Sequence, residues 1–228
     1  NAAGFHAAVV YYCVEPHTHP LPIQNAANAV AMLRENAEKW NIDTDKVIVC
    51  GFSAGGHLAS TIATHAKPEL RPDFQILFYP VITMDKSYTH MGSHNSLLGK
   101  DASAELEKEY SNEKQVTKET PRAFIVYSDD DKAVPPANGV NYYLALNKNG
   151  VPAVLHVQAG LGLGCVSARG RHGRGHALSS LGSRLRALRA ARAHPGGVRG
   201  RLRTHRANLA GAGVGPRRRR EGAAGRAE

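Results

Sequence analysis

The sequence predicts an α/β fold: a mostly parallel sheet with helices on both faces. Two observations carry this reading. Short apolar runs alternate with segments of ten or more residues whose apolar positions recur every three to four, the order expected of parallel strands joined by helices. A Gly-x-Ser-x-Gly pentapeptide stands directly between one such run and one such helix.

Taken in order, Phe5–Tyr12 (FHAAVVYY) reads as a buried strand and Glu15–Pro22 as a Pro- and His-rich loop. A helix is expected over Gln24–Trp40, with Ala26, Val30, Leu33, Ala37 and Trp40 on one face. After a polar turn, Lys46–Cys50 (KVIVC) is a second buried strand. Gly51–Gly56 is a tight turn, and Leu58–His65 continues as a helix. Phe74–Tyr79 is a third strand, ended by Pro80. Residues 83–120 are polar and less regular, with one helix near Ser103–Ser111, and are expected to form a cap or long loops near the site. Ala123–Tyr127 is a fourth strand, Ala137–Lys148 a helix and Ala153–Val157 a fifth strand. Working residues in such sheets sit at the carboxyl ends of strands, which singles out the loops after Cys50 and Tyr127.

The 228 residues carry a net charge of +10, but that total hides a division. Residues 1–158 hold 13 Lys and Arg against 17 Asp and Glu, a net −4. Residues 159–228 hold 16 Arg, no Lys and 2 Glu, a net +14, with no aromatic residue. Two parts are therefore expected: a domain over 1–158 and an Arg/Gly/Ala-rich low-complexity tail over 159–228, disordered or partly helical. No run of 18 apolar residues occurs, so no membrane-spanning helix is expected. No signal peptide is visible. The chain begins at Asn1 inside what reads as a running fold, so the domain is expected to be incomplete at its N-terminus, and localisation is left unread. Cys13, Cys50 and Cys165 are scattered, which suits neither a disulfide framework nor zinc.

Gly51-Phe52-Ser53-Ala54-Gly55 is the pattern of a nucleophile held on a strained strand-to-helix turn, where the neighbours must be small. Such a turn lifts the Ser53 hydroxyl above the sheet edge and aims the helix's free N–H groups at the same point. The N–H of Ala54 is the natural oxyanion donor. The plain alternative is a Gly-rich turn with an incidental serine. A phosphate loop is disfavoured, because His57 and Leu58 stand where Lys and Ser/Thr should follow.

Asn36–Ser60, with its NIDTDKVIVCGFSAGGHLAS core, closely resembles α/β-hydrolase esterases, in particular the acetyl-xylan-esterase-like branch of the esterase/lipase group. Ser128–Pro136 (SDDDKAVPP) and the Asn-Tyr-Tyr-x-Ala-Leu stretch after it resemble the same group. The likeness covers residues 1–158. It implies the α/β-hydrolase fold and a Ser-His-Asp hydrolase acting on a short-chain carboxylic ester, an acetylated sugar being one such substrate. No cofactor or metal is implied, and the partner is a small-molecule ester. Peptidases share the same turn and acid loop.

The triad order in this fold is Ser, acid, His. Asp131 precedes Lys132-Ala133-Val134-Pro135 and so matches the family's Asp-x-x-Val-Pro, which makes it the expected acid; Asp129 and Asp130 are expected to shape the loop. The family places its base in a Gly-Gly-His-Gly-like loop after the last strand, where this chain reads Gln158–Gly164 with no His. His172, in Gly170–Gly175, is the candidate base, with His176 the next histidine along. His156 lies in a strand and His57 on the helix, both read as packing residues. His17-x-His19 and His90-x3-His94 lack a carboxylate or Cys partner at zinc spacing and read as loop histidines. The second oxyanion N–H of this fold comes from a Gly-rich loop after an early strand, and nothing before Phe5 can supply it.

The tail admits two readings: a polybasic arm for nucleic acid or another polyanion, or out-of-frame translation beginning where the family pattern stops. The second is favoured, although Leu178, Leu181, Leu185 and Leu188 recur at helical spacing. Nucleic acid is not expected as a partner except through this tail. The alternative to a serine esterase is thus an inactive hydrolase fragment or scaffold whose tail binds polyanions.

Overall fold

A computed structural model describes residues 4–159 of the chain. Four strands, β1 (Ile48–Phe52), β2 (Phe74–Phe78), β3 (Arg122–Ser128) and β4 (Ala153–Gln158), form one sheet in the order β1-β2-β3-β4. Every pairing is parallel, with Phe52 level with Phe78 and Phe78 level with Val126. Six helices accompany them: α1 (Leu21–Glu35), α2 (Ala37–Trp40), α3 (Ser53–His65), α4 (Met91–Leu98), α5 (Ala104–Glu109) and α6 (Ala137–Lys148).

The strands form where apolar residues run together. β2 and β3 are buried almost throughout, as central strands of a parallel sheet should be. One face presents Leu77, Ala123, Ile125 and Tyr127 to a core that also takes Ala59 from α3 and Tyr142 and Leu146 from α6. Gln75 is fully buried here but satisfied: its Nε2 donates to the Pro121 carbonyl at 2.8 Å, and its Oε1 accepts from the Tyr142 hydroxyl at 3.0 Å. The α6 bounds coincide with the expected helix. Its end is set by the Asn149–Gly150 turn, where Gly150 has φ +73° and the Val151 N–H returns to the Leu146 carbonyl at 2.9 Å.

Several expectations need correction. Phe5–Tyr12 is not a buried strand: it is irregular, with Val9 82% and Tyr11 93% exposed. A strand needs a hydrogen-bonded neighbour, and none lies beside this segment among the described residues. The helix expected over Gln24–Trp40 starts earlier and breaks at Asn36 into α1 and α2. Among the described strands β1 lies at an edge, and its Ile48, Cys50 and Phe52 are exposed rather than buried. The helix after the turn begins at Ser53, not Leu58. Within 83–120 the helix near Ser103 is present as α5, capped by the Ser103 hydroxyl on the Leu106 N–H. α4 precedes it and was not expected.

Tyr127 ties the core to the carboxyl edge of the sheet. Its hydroxyl donates to the Pro80 carbonyl, and burial pushes its phenol pKa well above the usual range. A Cβ at Gly139 would collide with this ring. Because the hydroxyl is tethered, the ring has nowhere to go. Gly139→Ala is therefore expected to destabilise the fold by about 1–3 kcal/mol through overpacking, read as a lower urea midpoint with an unchanged slope.

Candidate active site

The turn between β1 and α3 is built by close approach. A Cβ on Gly51 would overlap the Gly55 carbonyl oxygen and lie 2.7 Å from its carbon. A Cβ on Gly56 would lie 2.5 Å from Pro80 Cβ. Only glycine fits at either position, so helix α3 starts directly against the strand it follows. Ser53, the first residue of α3, has φ +50°, a left-handed conformation that an L-residue adopts only under constraint. Its carbonyl accepts from the Val81 N–H at 3.0 Å, which fixes the turn to the segment leaving β2. The free N–H groups of α3's first turn, that of Ala54 among them, lie at the same place.

Asp131 follows β3 at the same carboxyl edge. β1 and β3 are separated by one strand, about 10 Å between strand axes. The Asp131 side chain is held rather than solvated: the residue is 6% exposed, and Oδ1 accepts from the N–H groups of Ala133 and Val134, each at 2.9 Å. Asp130 takes the Ser128 hydroxyl, a loop-shaping contact. The fold thus brings the Ser53–Ala54 turn and Asp131 to one edge. His172 and His176 lie outside the described residues.

His57 and His156 are both packing residues. His156 sits on β4 with its ring 5.2 Å from that of Phe124. His57, on the first turns of α3, is buried, and its Nε2 lies 2.8 Å from the Tyr110 carbonyl, so that nitrogen carries the proton and donates. Burial lowers its pKa to about 4 and keeps it neutral. Two further contacts from α3 reach the same segment. His65 Nε2 lies 2.9 Å from the Glu109 carbonyl, and Asn112 Nδ2 donates to Ser60 Oγ at 2.7 Å. His94 lies within α4 rather than in a loop, whereas His90 stands in the loop just before that helix. His90 caps α4 by accepting from the Ser93 N–H, and His94 Nε2 lies 2.9 Å from Glu107 Oε1. Among the described residues no group of three or more His, Cys, Asp or Glu side chains could hold a metal. No described helix is long and apolar enough to cross a membrane.

A cavity of about 80 Å³ lies beside the first turn of α3. Ala54 and Leu58 line it from α3, Tyr12 from the irregular N-terminal segment, and Met84, Leu97 and Tyr110 from the region after β2. No sequence pattern marks these residues as neighbours.

The model of the alpha/beta hydrolase fold family matches residues 1–165. The chain belongs to that family. Over 154 residues it is 38% identical to an acetylxylan esterase of Xylanibacter ruminicola, a match spanning 66% of this chain and 32% of that protein. It is also 38% identical over 150 residues to endo-1,4-beta-xylanase B of Butyrivibrio fibrisolvens, covering 61% of this chain and 24% of the other. The chain therefore spans about a third or less of the length of these two curated relatives. Among solved structures, the acetyl ester-xyloside bifunctional hydrolase of Caldicellulosiruptor lactoaceticus superposes with a TM-score of 0.64 at 34% identity, covering 79% of this chain and 68% of that one.

The buried His57 makes stability depend on pH. Its folded pKa lies below its unfolded value near 6.5, so the unfolded chain binds the extra proton first as pH falls. Its contribution is fully present above about pH 6.5 and is lost progressively towards pH 4. The urea midpoint should drop across this window, and His57→Gln, which can still donate to the Tyr110 carbonyl, should flatten the drop.

Proposed function

We propose that the chain carries a serine esterase centre that cleaves short-chain carboxylic esters, acetyl esters of sugars among them. The observation that supports this best is Ser53 at φ +50° on the first residue of α3, immediately after β1. That conformation presents the hydroxyl at the sheet edge beside unpaired helix N–H groups, the arrangement acyl transfer needs. The resemblance to an acetylxylan esterase supports the substrate class.

In this reading Ser53 Oγ attacks the ester carbonyl carbon as a histidine takes its proton. The oxyanion forms against the Ala54 N–H. Collapse of the tetrahedral adduct breaks the bond to the alcohol oxygen, which leaves with the proton from that histidine, and an acyl-enzyme remains. Water, deprotonated by the same histidine, then releases the acid and restores Ser53. Asp131 orients the histidine: with Oδ1 engaged by the loop amides, Oδ2 is the oxygen for its N–H. His172 is the base proposed for this role.

A fluorophosphonate probe tests the assignment, since it labels activated serines. Wild-type protein should be labelled and should hydrolyse p-nitrophenyl acetate; Ser53→Ala should lose both, and labelling that persists overturns the role of Ser53. Asp131→Asn should lower kcat by up to ~10⁴ while leaving the fold intact. His172→Ala retaining full turnover would remove His172 as the base.

A further inference from the structure

Ser53 and Asp131 follow different strands, so a triad built on them needs something that fixes one against the other. Asn138, on the first turn of α6, makes that connection. It is fully buried, and its carboxamide is used to capacity. Oδ1 accepts from the N–H groups of Ile82 and Thr83 at 3.0 and 3.1 Å. Nδ2 donates to the carbonyls of Tyr88 and Pro135, each at 3.0 Å. A carboxamide offers two acceptor and two donor positions, and all four are filled. A side chain that served only its own helix would bond within that first turn. Three of these partners instead lie 50 or more residues away along the chain.

The identity of the partners gives the connection its direction. Val81, Ile82 and Thr83 are consecutive and buried, and the Val81 N–H holds the Ser53 carbonyl. Pro135 directly follows Val134, whose N–H holds Asp131 Oδ1. A short path therefore runs from the nucleophile turn through residues 81–83 to Asn138, and from there through Pro135 to the acid loop. Tyr127 ties the same loop from its other side, because it stands late in β3 and donates to the Pro80 carbonyl. The loop is thus pinned before and after Asp131 to the segment that grips Ser53. Of the two ties, Asn138 holds the side on which Asp131 takes its amide bonds.

We infer that Asn138 is a positioning residue whose side chain sets the spacing between the Ser53 turn and the Asp131 loop. The inference rests on the reading of Ser53 as nucleophile and Asp131 as acid. Two variants of the full chain test it. Asn138→Leu has a similar volume and removes all four bonds. Asn138→Ser keeps one donor and one acceptor, a milder change should the first not fold. kcat and KM on p-nitrophenyl acetate are followed against pH and expressed per serine titrated by the fluorophosphonate probe, so misfolded chains do not count. In each variant kcat should fall by about tenfold or more with KM within about twofold, since a misplacement of about 1 Å costs up to ~10²-fold. A histidine whose carboxylate has moved away holds its proton less tightly, so the acid limb of the profile should move to lower pH by about half a unit or more. A general loss of stability scales the profile without moving it. An unchanged kcat, or a lowered kcat with an unmoved acid limb, overturns the positioning role and leaves the esterase reading standing. Failure of both variants to fold overturns it as well, because Asn138 then serves the fold as a whole. Absence of ester hydrolysis and of Ser53 labelling in the wild type overturns the esterase reading, and the positioning role with it.

Discussion

The close approach of α3 to β1 and to Pro80 is the constraint on which the rest of this structure depends. Residues without side chains at 51 and 56 let the helix begin against its own strand. That geometry forces the backbone at Ser53 into the left-handed region, at a cost of about 1–2 kcal/mol. The strain persists because the surroundings overdetermine it. Ala59, Ile62 and Ala63 bury one side of α3, and the Val81 N–H grips the Ser53 carbonyl. A helix standing farther from the sheet would let residue 53 relax to ordinary helical dihedrals, and the direction of its hydroxyl would change with it.

A second layer of order is polar. His57, Ser60, Thr61 and Asn112 are all buried, and hydrogen bonds link them into one group between α3 and the region after β2. Buried polar groups of this kind stabilise only one arrangement, since any shift leaves donors without acceptors. They hold the Tyr110 segment at a single height above α3. An apolar contact surface would have tolerated sliding.

Legibility in the sequence followed the range of the forces involved. β2, β3, β4 and α6 were readable because apolar runs, Pro135-Pro136 and Asn149-Gly150 are local signals. The Ser53–Ala54 turn was readable because its steric demand writes glycine into the chain on both sides. Phe5–Tyr12 misled because composition records an affinity for strand formation and says nothing of a partner. The break at Asn36 carries no breaker residue. α4 was hidden because it is short and polar, and His94, fully buried against Glu107, looks like a loop residue until that contact is seen. The cavity was illegible for a related reason. His57 reaches a carbonyl 53 residues away, and a bond to backbone leaves no trace in the partner's identity.

The described strands succeed one another across the sheet in chain order. Sheets whose order reverses open a crevice at the reversal, and that crevice shapes the ligand site. Here the described strands contain no such reversal, so the hollow beside α3 is walled by the irregular N-terminal segment and by the long excursion between β2 and β3. Neither of those contributes a rung to the ladder. The excursion is nonetheless no separate attachment. It opens with Pro80, packed against Gly56, and with Val81, whose N–H holds the Ser53 carbonyl, so rewriting its start would move the turn that carries the hydroxyl even with every strand pairing left intact.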